Sequence, residues 1–316
     1  MKIVLIEPLG IEKEKLEALS EGLKASGHEF ISFDNRVEDT PSLIARAKDA
    51  DIVILTNLPF KKEVMEACEN LKMISVAFTG VDHVDMDYCK EHNILVSNAA
   101  GYSTNAVAEL AIGLMVGLYR RILACDDHTR KEQTKNGLIG FELAEKTIGV
   151  IGTGAIGCKV MEIALAFGCE VVAYSRTKKQ EWIDKGVKYL ELNDLLKVSD
   201  IVTLHVPLTP ASKHLIGKDQ LNTMKKSALL INTARGPVVD GEALSEALKE
   251  NRIAGAGIDV FEMEPPVPKD HVLLNAPNTI LTPHVAFATK ESLVKRAIIT
   301  FDNVNSWLKG EPKNIV

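Results

Sequence analysis

The segment 147–157 constrains the fold of this chain more than any other stretch, because an apolar run there breaks into three closely spaced glycines. Gly152, Gly154 and Gly157 form the pattern G-x-G-x-x-G between a predicted strand and a predicted helix. Such a pattern lets the chain turn tightly, lets a pyrophosphate approach the backbone, and lets the helix pack on the strand. A phosphate would then lie at the positive N-terminus of the helix. Taken alone, the pattern is equally compatible with a purely structural turn.

The residues that follow favour the binding interpretation. Apolar residues at helical spacing over 155–167 predict a helix, Gly168 stands where a C-cap is expected, and 169–174 predicts a second strand. Together these elements form a βαβ unit. The predicted cofactor-binding turn therefore consists of Gly152, Thr153, Gly154, Ala155, Ile156 and Gly157.

The residue after the second strand indicates which dinucleotide fits, since an acidic side chain there binds the ribose 2′-hydroxyl and repels a 2′-phosphate. Here that residue is Ser175, and Arg176 follows it. With no carboxylate at this position and a guanidinium beside it, NADP(H) is favoured over NAD(H). The alternative is a solvated basic turn.

Composition bounds the class of protein. A length of 316 residues allows two domains with cores of their own, and 46% hydrophobic residues is typical of a soluble globular chain. No apolar run could span a membrane and no signal peptide is recognisable, so we expect a cytoplasmic protein. Five scattered cysteines without metal-binding spacing predict reduced thiols and no metal site. The net charge of −6 argues against a nucleic-acid partner.

Strand and helix patterns alternate along the whole chain. Continuous apolar runs at 51–56 and 73–77 are typical of a parallel sheet covered on both faces, and they predict a small α/β domain at the N-terminus. A turn-rich segment at 98–103 precedes a long helical pattern and a second alternating region, which predicts a doubly wound sheet. A closing helix over 290–308 predicts a return to the first domain.

Four segments occur in a fixed order: 152–157, the run Leu204–Thr209, the run Ile231–Gly236, and 257–265 with Thr282-Pro283-His284. Together they resemble the D-isomer-specific 2-hydroxyacid dehydrogenase family. The resemblance implies an α/β chain in which a Rossmann coenzyme domain, here 99–284, is inserted into a flavodoxin-like substrate domain, here 1–98 and 285–316. It also implies a homodimer formed through the coenzyme domains.

The same resemblance implies a catalytic triad. Arg235 matches an arginine that binds the substrate carboxylate, His284 matches the acid/base residue, and Glu264 matches its carboxylate partner. The chemistry suits these residue types. A planar guanidinium binds a carboxylate with two hydrogen bonds, an imidazole exchanges a proton near neutral pH, and a neighbouring carboxylate favours imidazolium.

Supporting roles are implied as well. Asp259 should hold the nicotinamide carboxamide; the remaining implied cofactor contacts are Val206, Pro207, Thr209, Thr233, Arg235 and His284. The loop 77–82 matches the segment whose backbone N–H groups receive the substrate carboxylate. The implied substrate contacts are Phe78, Thr79, Gly80, Tyr102, Arg235, His284 and Phe287.

The predicted function is NAD(P)H-dependent reduction of a small 2-oxo acid, of the glyoxylate, hydroxypyruvate or pyruvate class, to the D-2-hydroxy acid. Tyr102 and Phe287 resemble the D-lactate dehydrogenase branch, whereas Ser175 and Arg176 resemble NADPH-using glyoxylate and hydroxypyruvate reductases. Two alternatives stay open: a phosphoglycerate dehydrogenase-like oxidoreductase, and a dinucleotide-sensing protein similar to a corepressor. An S-adenosylmethionine site would leave the later segments unexplained.

Overall fold

A computed structural model describes residues 1–263 and 266–316. The chain divides into two compact units. Unit 1 comprises Met1–Ser103 and Ala288–Val316, and unit 2 comprises Thr104–Phe287.

Unit 1 is built on a parallel sheet of five strands. Its N-terminal elements are β1 (Lys2–Leu5), α1 (Lys13–Ala25), β2 (Glu29–Ser32), α2 (Thr40–Ala47), β3 (Ile52–Leu55), α3 (Lys62–Met65), β4 (Met73–Val76), α4 (Met86–Glu91) and β5 (Leu95–Asn98). The strand order is β2-β1-β3-β4-β5, which is that of flavodoxin-like sheets. Every residue of β3 and β4 is buried, as the continuous apolar runs predict for strands covered on both faces.

Unit 2 is built on a longer parallel sheet. Its elements are α5 (Thr104–Tyr119), α6 (Ile122–Arg130), β6 (Thr147–Ile151), α7 (Ala155–Ala166), β7 (Glu170–Tyr174), α8 (Gln180–Ile183), β8 (Lys188–Tyr189), α9 (Leu192–Val198), β9 (Ile201–Leu204), α10 (Lys218–Thr223), β10 (Leu229–Asn232), a 3₁₀ turn (Gly236–Val238), α11 (Gly241–Lys249), β11 (Gly255–Ile258) and β12 (Thr279–Leu281). The order β12-β11-β10-β9-β6-β7-β8 is that of a Rossmann sheet with one added strand. The predicted fold class is therefore confirmed.

The point that decides where a ligand binds is the reversal of strand order beside β6. The chain runs from β6 outward through β7 and β8, and then returns to place β9 on the other side of β6. Open α/β sheets bind ligands outside the carboxyl ends of their strands at such a reversal, so the loops after β6 and β9 are where a ligand is expected.

The last helix, α12 (Lys290–Leu308), returns the chain to unit 1. Thr289 caps it: its hydroxyl accepts from Ser292 N at 3.1 Å, and the Ser292 hydroxyl accepts from Thr289 N at 3.2 Å. The buried side chains of Ala297, Phe301 and Val304 join the core of unit 1, where the rings of Phe30 and Phe301 lie 5.7 Å apart.

One predicted helix ends earlier than its apolar pattern. The pattern extends from 105 to 122, but α5 ends at Tyr119 and α6 begins at Ile122. Arg121 between them has a φ of 52°, a left-handed conformation that no α-helix continues through. Of the helices in the two described segments, none is long and apolar enough to cross a bilayer.

Candidate functional site

The predicted site residues of unit 2 lie along one edge of its sheet. The turn at Gly152 follows β6, Ser175 follows β7, Val206 follows β9, Arg235 follows β10, and Asp259 follows β11. His284 comes after β12, the neighbour of β11. Because all seven strands are parallel, these segments emerge at the same carboxyl edge, where the strand order reverses.

The three glycines of the turn differ in what a side chain would meet at each position. Gly152 has a φ of +96°, and a Cβ there would collide with the carbonyl of His205 at the end of β9. A Cβ on Gly157 would collide with the carbonyl of Gly152, so this glycine lets α7 start directly against the turn. Gly154 has an ordinary φ of −69°, and a Cβ there would meet no atom of the described chain within 4 Å.

This pattern fits a dinucleotide. Gly154 is the N-cap of α7, and no side chain of the described residues caps the helix there, so its first-turn N–H groups have no capping side chain and lie next to the open space at Gly154. Backbone donors at a helix N-terminus without a capping side chain suit a pyrophosphate. The residues present therefore fit the group that the sequence predicts.

A basic segment follows β7. Ser175 is partly buried and Arg176 is exposed, as expected for a position that contacts a ribose at the surface. Lys179 reaches back toward the glycine turn, since its Nζ lies 3.3 Å from Sγ of Cys158 in the first turn of α7. Cys158 Sγ donates in turn to the Thr153 carbonyl at 3.3 Å. A second cation therefore stands close to the turn, a contact that spacing along the sequence does not reveal.

The loop after β9 is ordered by its own polar groups. The Ser212 hydroxyl donates to the Pro207 carbonyl at 2.6 Å and accepts from Thr209 N at 2.8 Å. His205 is half-buried as a residue, but desolvation of its ring lowers its pKa to about 3, and its Nε2 lies 2.9 Å from the Thr203 hydroxyl. Its imidazole is therefore neutral at physiological pH and is not a proton donor there.

The side chain of Asn232 binds the Arg235 loop at two points. Asn232 Nδ2 donates to the Arg235 carbonyl at 3.0 Å, while Asn232 Oδ1 accepts from Ala234 N at 3.0 Å. A Cβ on Gly236 would collide with the backbone of Phe261, so the loop lies directly on the segment after Asp259. The half-buried Arg235 side chain also donates from Nη1 to the Ala234 carbonyl at 2.9 Å.

Thr233 in this loop carries a second indication of a ligand. Its Oγ1 is buried, and it has no hydrogen-bond partner among the residues that the structure describes. An unsatisfied buried hydroxyl is costly, and in a native protein it calls for an explanation such as a bound group. Its place after β10 agrees with the predicted cofactor contact.

Asp259 holds the loop that carries His284. The carboxylate is fully buried and accepts from the Thr282 hydroxyl at 2.5 Å, from Val285 N at 2.9 Å and from Ala286 N at 3.0 Å. His284 N donates to the Asp259 carbonyl at 2.8 Å. Both carboxylate oxygens of Asp259 therefore accept hydrogen bonds from the loop that carries His284, a role that the sequence did not indicate. The predicted contact of Asp259 with a nicotinamide stays a prediction.

His284 itself is in a strained conformation. Its φ of 56° lies in the left-handed region, which costs a non-glycine residue about 1–3 kcal/mol and persists only where surrounding bonds impose it. The hydrogen bonds that Asp259 accepts from His284 N, Val285 N and Ala286 N supply that constraint. The ring of Phe287 meets the imidazole edge to face, with centroids 5.5 Å apart, so these two predicted residues are brought together.

Glu264, the predicted partner of His284, lies outside the described residues. The nearby Glu262 does not take its place, because Glu262 Oε2 lies 2.9 Å from Nε2 of His271. That pairing identifies His271 as a structural histidine.

The remaining predicted substrate contacts lie in unit 1. Phe78 and Tyr102 are both buried, and their rings lie 6.2 Å apart at 48°. Asn98 Nδ2 donates to the Thr79 carbonyl at 2.8 Å, and Ala99 N donates to the Phe78 carbonyl at 2.9 Å. The predicted carboxylate loop is therefore tied to the end of β5, with Gly80 partly buried beside it.

Residues 112–286 match the model of the NAD-binding domain of D-isomer-specific 2-hydroxyacid dehydrogenases. This chain belongs to that family. It is therefore an oxidoreductase of the D-2-hydroxyacid dehydrogenase class, acting on a CH–OH group.

Individual relatives and solved structures are similar to this chain over most of its length. A glyoxylate reductase of Thermofilum pendens is 42% identical over 273 residues, which is 84% of this chain and 80% of the relative. A D-lactate dehydrogenase of Aquifex aeolicus, solved with NAD and lactic acid, has a TM-score of 0.86 at 32% identity over 99% of this chain and 98% of that one. An acyclic imino acid reductase solved with NADPH and D-Arg has a TM-score of 0.90 at 32% identity, covering 100% of both chains.

Proposed function

We propose that this protein reduces a small 2-oxo acid to the D-2-hydroxy acid with NAD(P)H bound at the glycine turn of unit 2. The observation that carries the proposal is His284, held in a strained conformation by the buried carboxylate of Asp259 at the edge where Arg235 also emerges. Strain that is imposed by surrounding hydrogen bonds is typical of catalytic positions. Unit 2 is the coenzyme domain in this proposal, and unit 1 is the substrate domain.

The chemistry assigns each residue a task. Bound NAD(P)H supplies the hydride to the carbonyl carbon. Arg235 binds the carboxylate of the 2-oxo acid and polarises its carbonyl with its positive charge. The His284 imidazolium donates a proton to the carbonyl oxygen and becomes neutral; in the oxidation direction it takes the proton back. Glu264 is the proposed carboxylate that favours the imidazolium, and the backbone of Thr79 and Gly80 binds the substrate carboxylate.

Turnover tests this directly. Purified protein is mixed with NADPH or NADH and, in turn, with glyoxylate, hydroxypyruvate, pyruvate, phenylpyruvate and 3-phosphohydroxypyruvate, while absorbance of the reduced cofactor is followed. We expect oxidation of the cofactor with one of the first four acids. A rate confined to the phosphorylated acid would instead favour the phosphoglycerate dehydrogenase alternative. Tight cofactor binding without any turnover would favour the dinucleotide-sensing alternative.

We also propose a preference for NADPH. Ser175 brings no carboxylate to the ribose position, and Arg176 and Lys179 bring two cations, one of them 3.3 Å from the first turn of α7. Ser175→Asp should raise the KM for NADPH and lower that for NADH, because a carboxylate repels the 2′-phosphate and accepts from the 2′-hydroxyl. Asn193→Asp adds the same charge on the exposed surface of α9 and should leave both values unchanged. A wild type that already prefers NADH would contradict this proposal.

A homodimer through unit 2 is the proposed assembly. The exposed apolar side chains Leu123, Ile139 and Phe141, which are 60%, 87% and 63% accessible, border a cavity of about 310 Å³ that reaches Ile280. Exposed apolar side chains that lie together often mark an interaction surface, and we propose that a second copy of this chain covers this one. Sedimentation should give a dimer for the wild type and a monomer for Phe141→Glu, whereas Phe167→Glu, on the exposed end of α7, should remain dimeric.

The proposed location is the cytoplasm. All five cysteines are free thiols, and the burial of Cys68 and Cys89 raises the pKa of each to about 11. Unreactive, unpaired thiols are typical of proteins from a reducing compartment.

A further inference from the structure

A strip of buried polar residues runs along one face of α12. Arg296, Thr300 and Asn303 are spaced four and three residues apart, so they share a face, and each is at most 6% accessible. Two of them make plain structural bonds: the Thr300 carbonyl accepts from the Ser75 hydroxyl at 3.2 Å, and Asn303 Nδ2 donates to the Asn98 carbonyl at 2.8 Å. Arg296 differs, because it buries a charge.

The groups that act on Arg296 are polar, but not all of them are charged. Nη2 donates to the Leu9 carbonyl at 2.8 Å, and the guanidinium forms a side-chain hydrogen bond with the Tyr102 hydroxyl. Desolvation lowers the pKa of Arg296, while Tyr102 and the buried carboxylate of Glu7 act in the opposite direction. Buried charges contribute little net stability, because desolvation offsets what the partners return. Stability alone therefore does not account for an arginine at this position.

The Tyr102 contact connects Arg296 to the predicted carboxylate loop. The Tyr102 ring packs on Phe78, and Phe78 directly precedes the proposed backbone donors of Thr79 and Gly80. The same helix reaches this loop by a second route, since Asn303 binds the backbone of Asn98, and the Asn98 side chain binds the Thr79 carbonyl. Arg296, through Tyr102 and Phe78, and Asn303, through Asn98, thus both connect α12 to the predicted carboxylate loop.

The direction of the Arg296–Tyr102 bond also matters. A guanidinium has only donors, so the phenol oxygen is the acceptor in this bond. Donation from a cation polarises the phenol and strengthens its own O–H as a donor to an anion. Orientation and polarity of Tyr102 are thereby both set from α12.

We propose that Arg296 is a positioning residue, which holds Tyr102, and through it Phe78, in the arrangement that binds the carboxylate of the 2-oxo acid. The inference rests on the proposed function. It assigns to a buried arginine outside the catalytic triad the control of substrate affinity, with no part in cofactor binding.

A double-mutant cycle tests it, with wild type, Arg296→Met, Tyr102→Phe and the double variant compared on the acid that the wild type reduces. Each single variant should raise the KM for the acid about tenfold, with kcat changed less than about threefold and the Kd for NADPH unchanged. The double variant should be no worse than the poorer single variant, because both changes remove one interaction. Arg296→Lys keeps the charge but loses the planar fork, so its KM should fall between those of the wild type and Arg296→Met.

Arg46 provides a matched control. It also ties a helix of unit 1 to the segment after β1, donating from Nη1 to the Ile6 carbonyl at 2.7 Å, and its guanidinium stacks on Phe33 instead of Tyr102. Arg46→Met should lower the melting temperature without raising the KM for the acid.

The possible outcomes distinguish a failure of this inference from a failure of the proposed function. Additive effects of the two changes on KM, or a lower melting temperature with an unchanged KM in Arg296→Met, would overturn the inference and leave the proposed function intact. A wild type that reduces none of the acids would overturn the proposed function, and the inference with it. Should Arg296→Met fail to fold, the same cycle is run with Arg296→Lys, and additivity there has the same meaning.

Discussion

The carboxyl edges of the two parallel sheets handle charge in different ways. In unit 2 the glycine turn leaves backbone donors and open space at Gly154, and the buried carboxylate of Asp259 binds the loop of His284. In unit 1 the buried charged groups are bound by an exposed side chain and by the backbone: Glu7 accepts from the exposed Arg36 at 2.5 Å and from Thr56 N at 2.7 Å, and Arg296 donates to the Leu9 carbonyl.

The difference teaches how one sheet architecture serves two tasks. An edge that presents unpaired backbone N–H groups can take a large anion, such as a dinucleotide, without a counter-charge of its own. An edge whose buried polar groups are hydrogen-bonded within the fold instead fixes the position of a short loop, here that of Phe78 and Thr79. We therefore expect variants at the carboxyl edge of unit 2 to change catalysis and cofactor binding, and variants that move the Phe78 loop of unit 1 to change the KM for the acid.

The largest effect is expected at His284. His284→Ala should lower kcat by about 10²–10⁴-fold, because the proton donor is lost, while the Kd for NADPH stays close to that of the wild type. Steady-state rates and cofactor fluorescence titration measure the two quantities. His92→Ala, which removes an exposed histidine of unit 1, should be fully active. A near-normal rate in His284→Ala would remove this residue from the mechanism.

Asp259→Asn should lower kcat by about a hundredfold. An asparagine has one acceptor oxygen and turns an NH₂ group toward donors such as Val285 N and Ala286 N, so the His284 loop would shift. The Kd for NADPH separates two roles: weaker binding would support the predicted nicotinamide contact, and unchanged binding would leave only the positioning of His284. Asp240→Asn alters a carboxylate that caps α11 by accepting from Ala243 N and should retain kcat.

Two glycine variants distinguish a glycine that the fold requires from a glycine that ligand binding requires. Gly152→Ala should destabilise unit 2 by about 1–3 kcal/mol, because φ is +96° and the methyl group would strike the His205 carbonyl. Gly154→Ala should leave the melting temperature unchanged and weaken NADPH binding about tenfold, since the methyl group enters only the open space. Equal losses of stability in the two variants would contradict the fit of a dinucleotide at Gly154.

The smallest effect at neutral pH is expected at His205, whose contribution is a dependence of stability on pH. Its folded-state pKa of about 3 lies below the ordinary value of 6.5, so the unfolded chain binds a proton that the folded chain does not. Stability should therefore fall as pH decreases below 6.5, and more steeply than the stability of His205→Asn. Urea titrations read by Trp182 of unit 2, in a Trp307→Phe background, measure this difference. Parallel pH profiles of the two proteins would refute it.

Much of the fold was predictable because its signals are local. Continuous apolar runs indicated the strands of both sheets, and the glycines at 152, 154 and 157 placed the strand, turn and helix of the cofactor site within a residue or two. The end of α5 was not predictable from its apolar pattern, because the left-handed conformation of Arg121 leaves no periodic trace.

The candidate site divides in the same way. Residues such as Arg235 and His284 stand in ordered segments that carry a family resemblance, so their positions along the chain are enough to single them out. Arg296 is different, although its spacing with Thr300 and Asn303 is visible, because a polar strip on a helix is normally interpreted as its solvated face.

The sequence by itself determined two parallel sheets, the glycine turn and the order of the candidate catalytic residues, since each depends on neighbours within a few positions along the chain. Only the tertiary structure decided which carboxylate holds the His284 loop, which hydroxyl is left buried without a partner among the described residues at Thr233, and which tyrosine Arg296 binds. Those contacts join residues as far apart along the chain as Tyr102 and Arg296, and they form only when strands and α12 pack together. Hydrogen-bond geometry at that range is set by packing, and no local pattern encodes it.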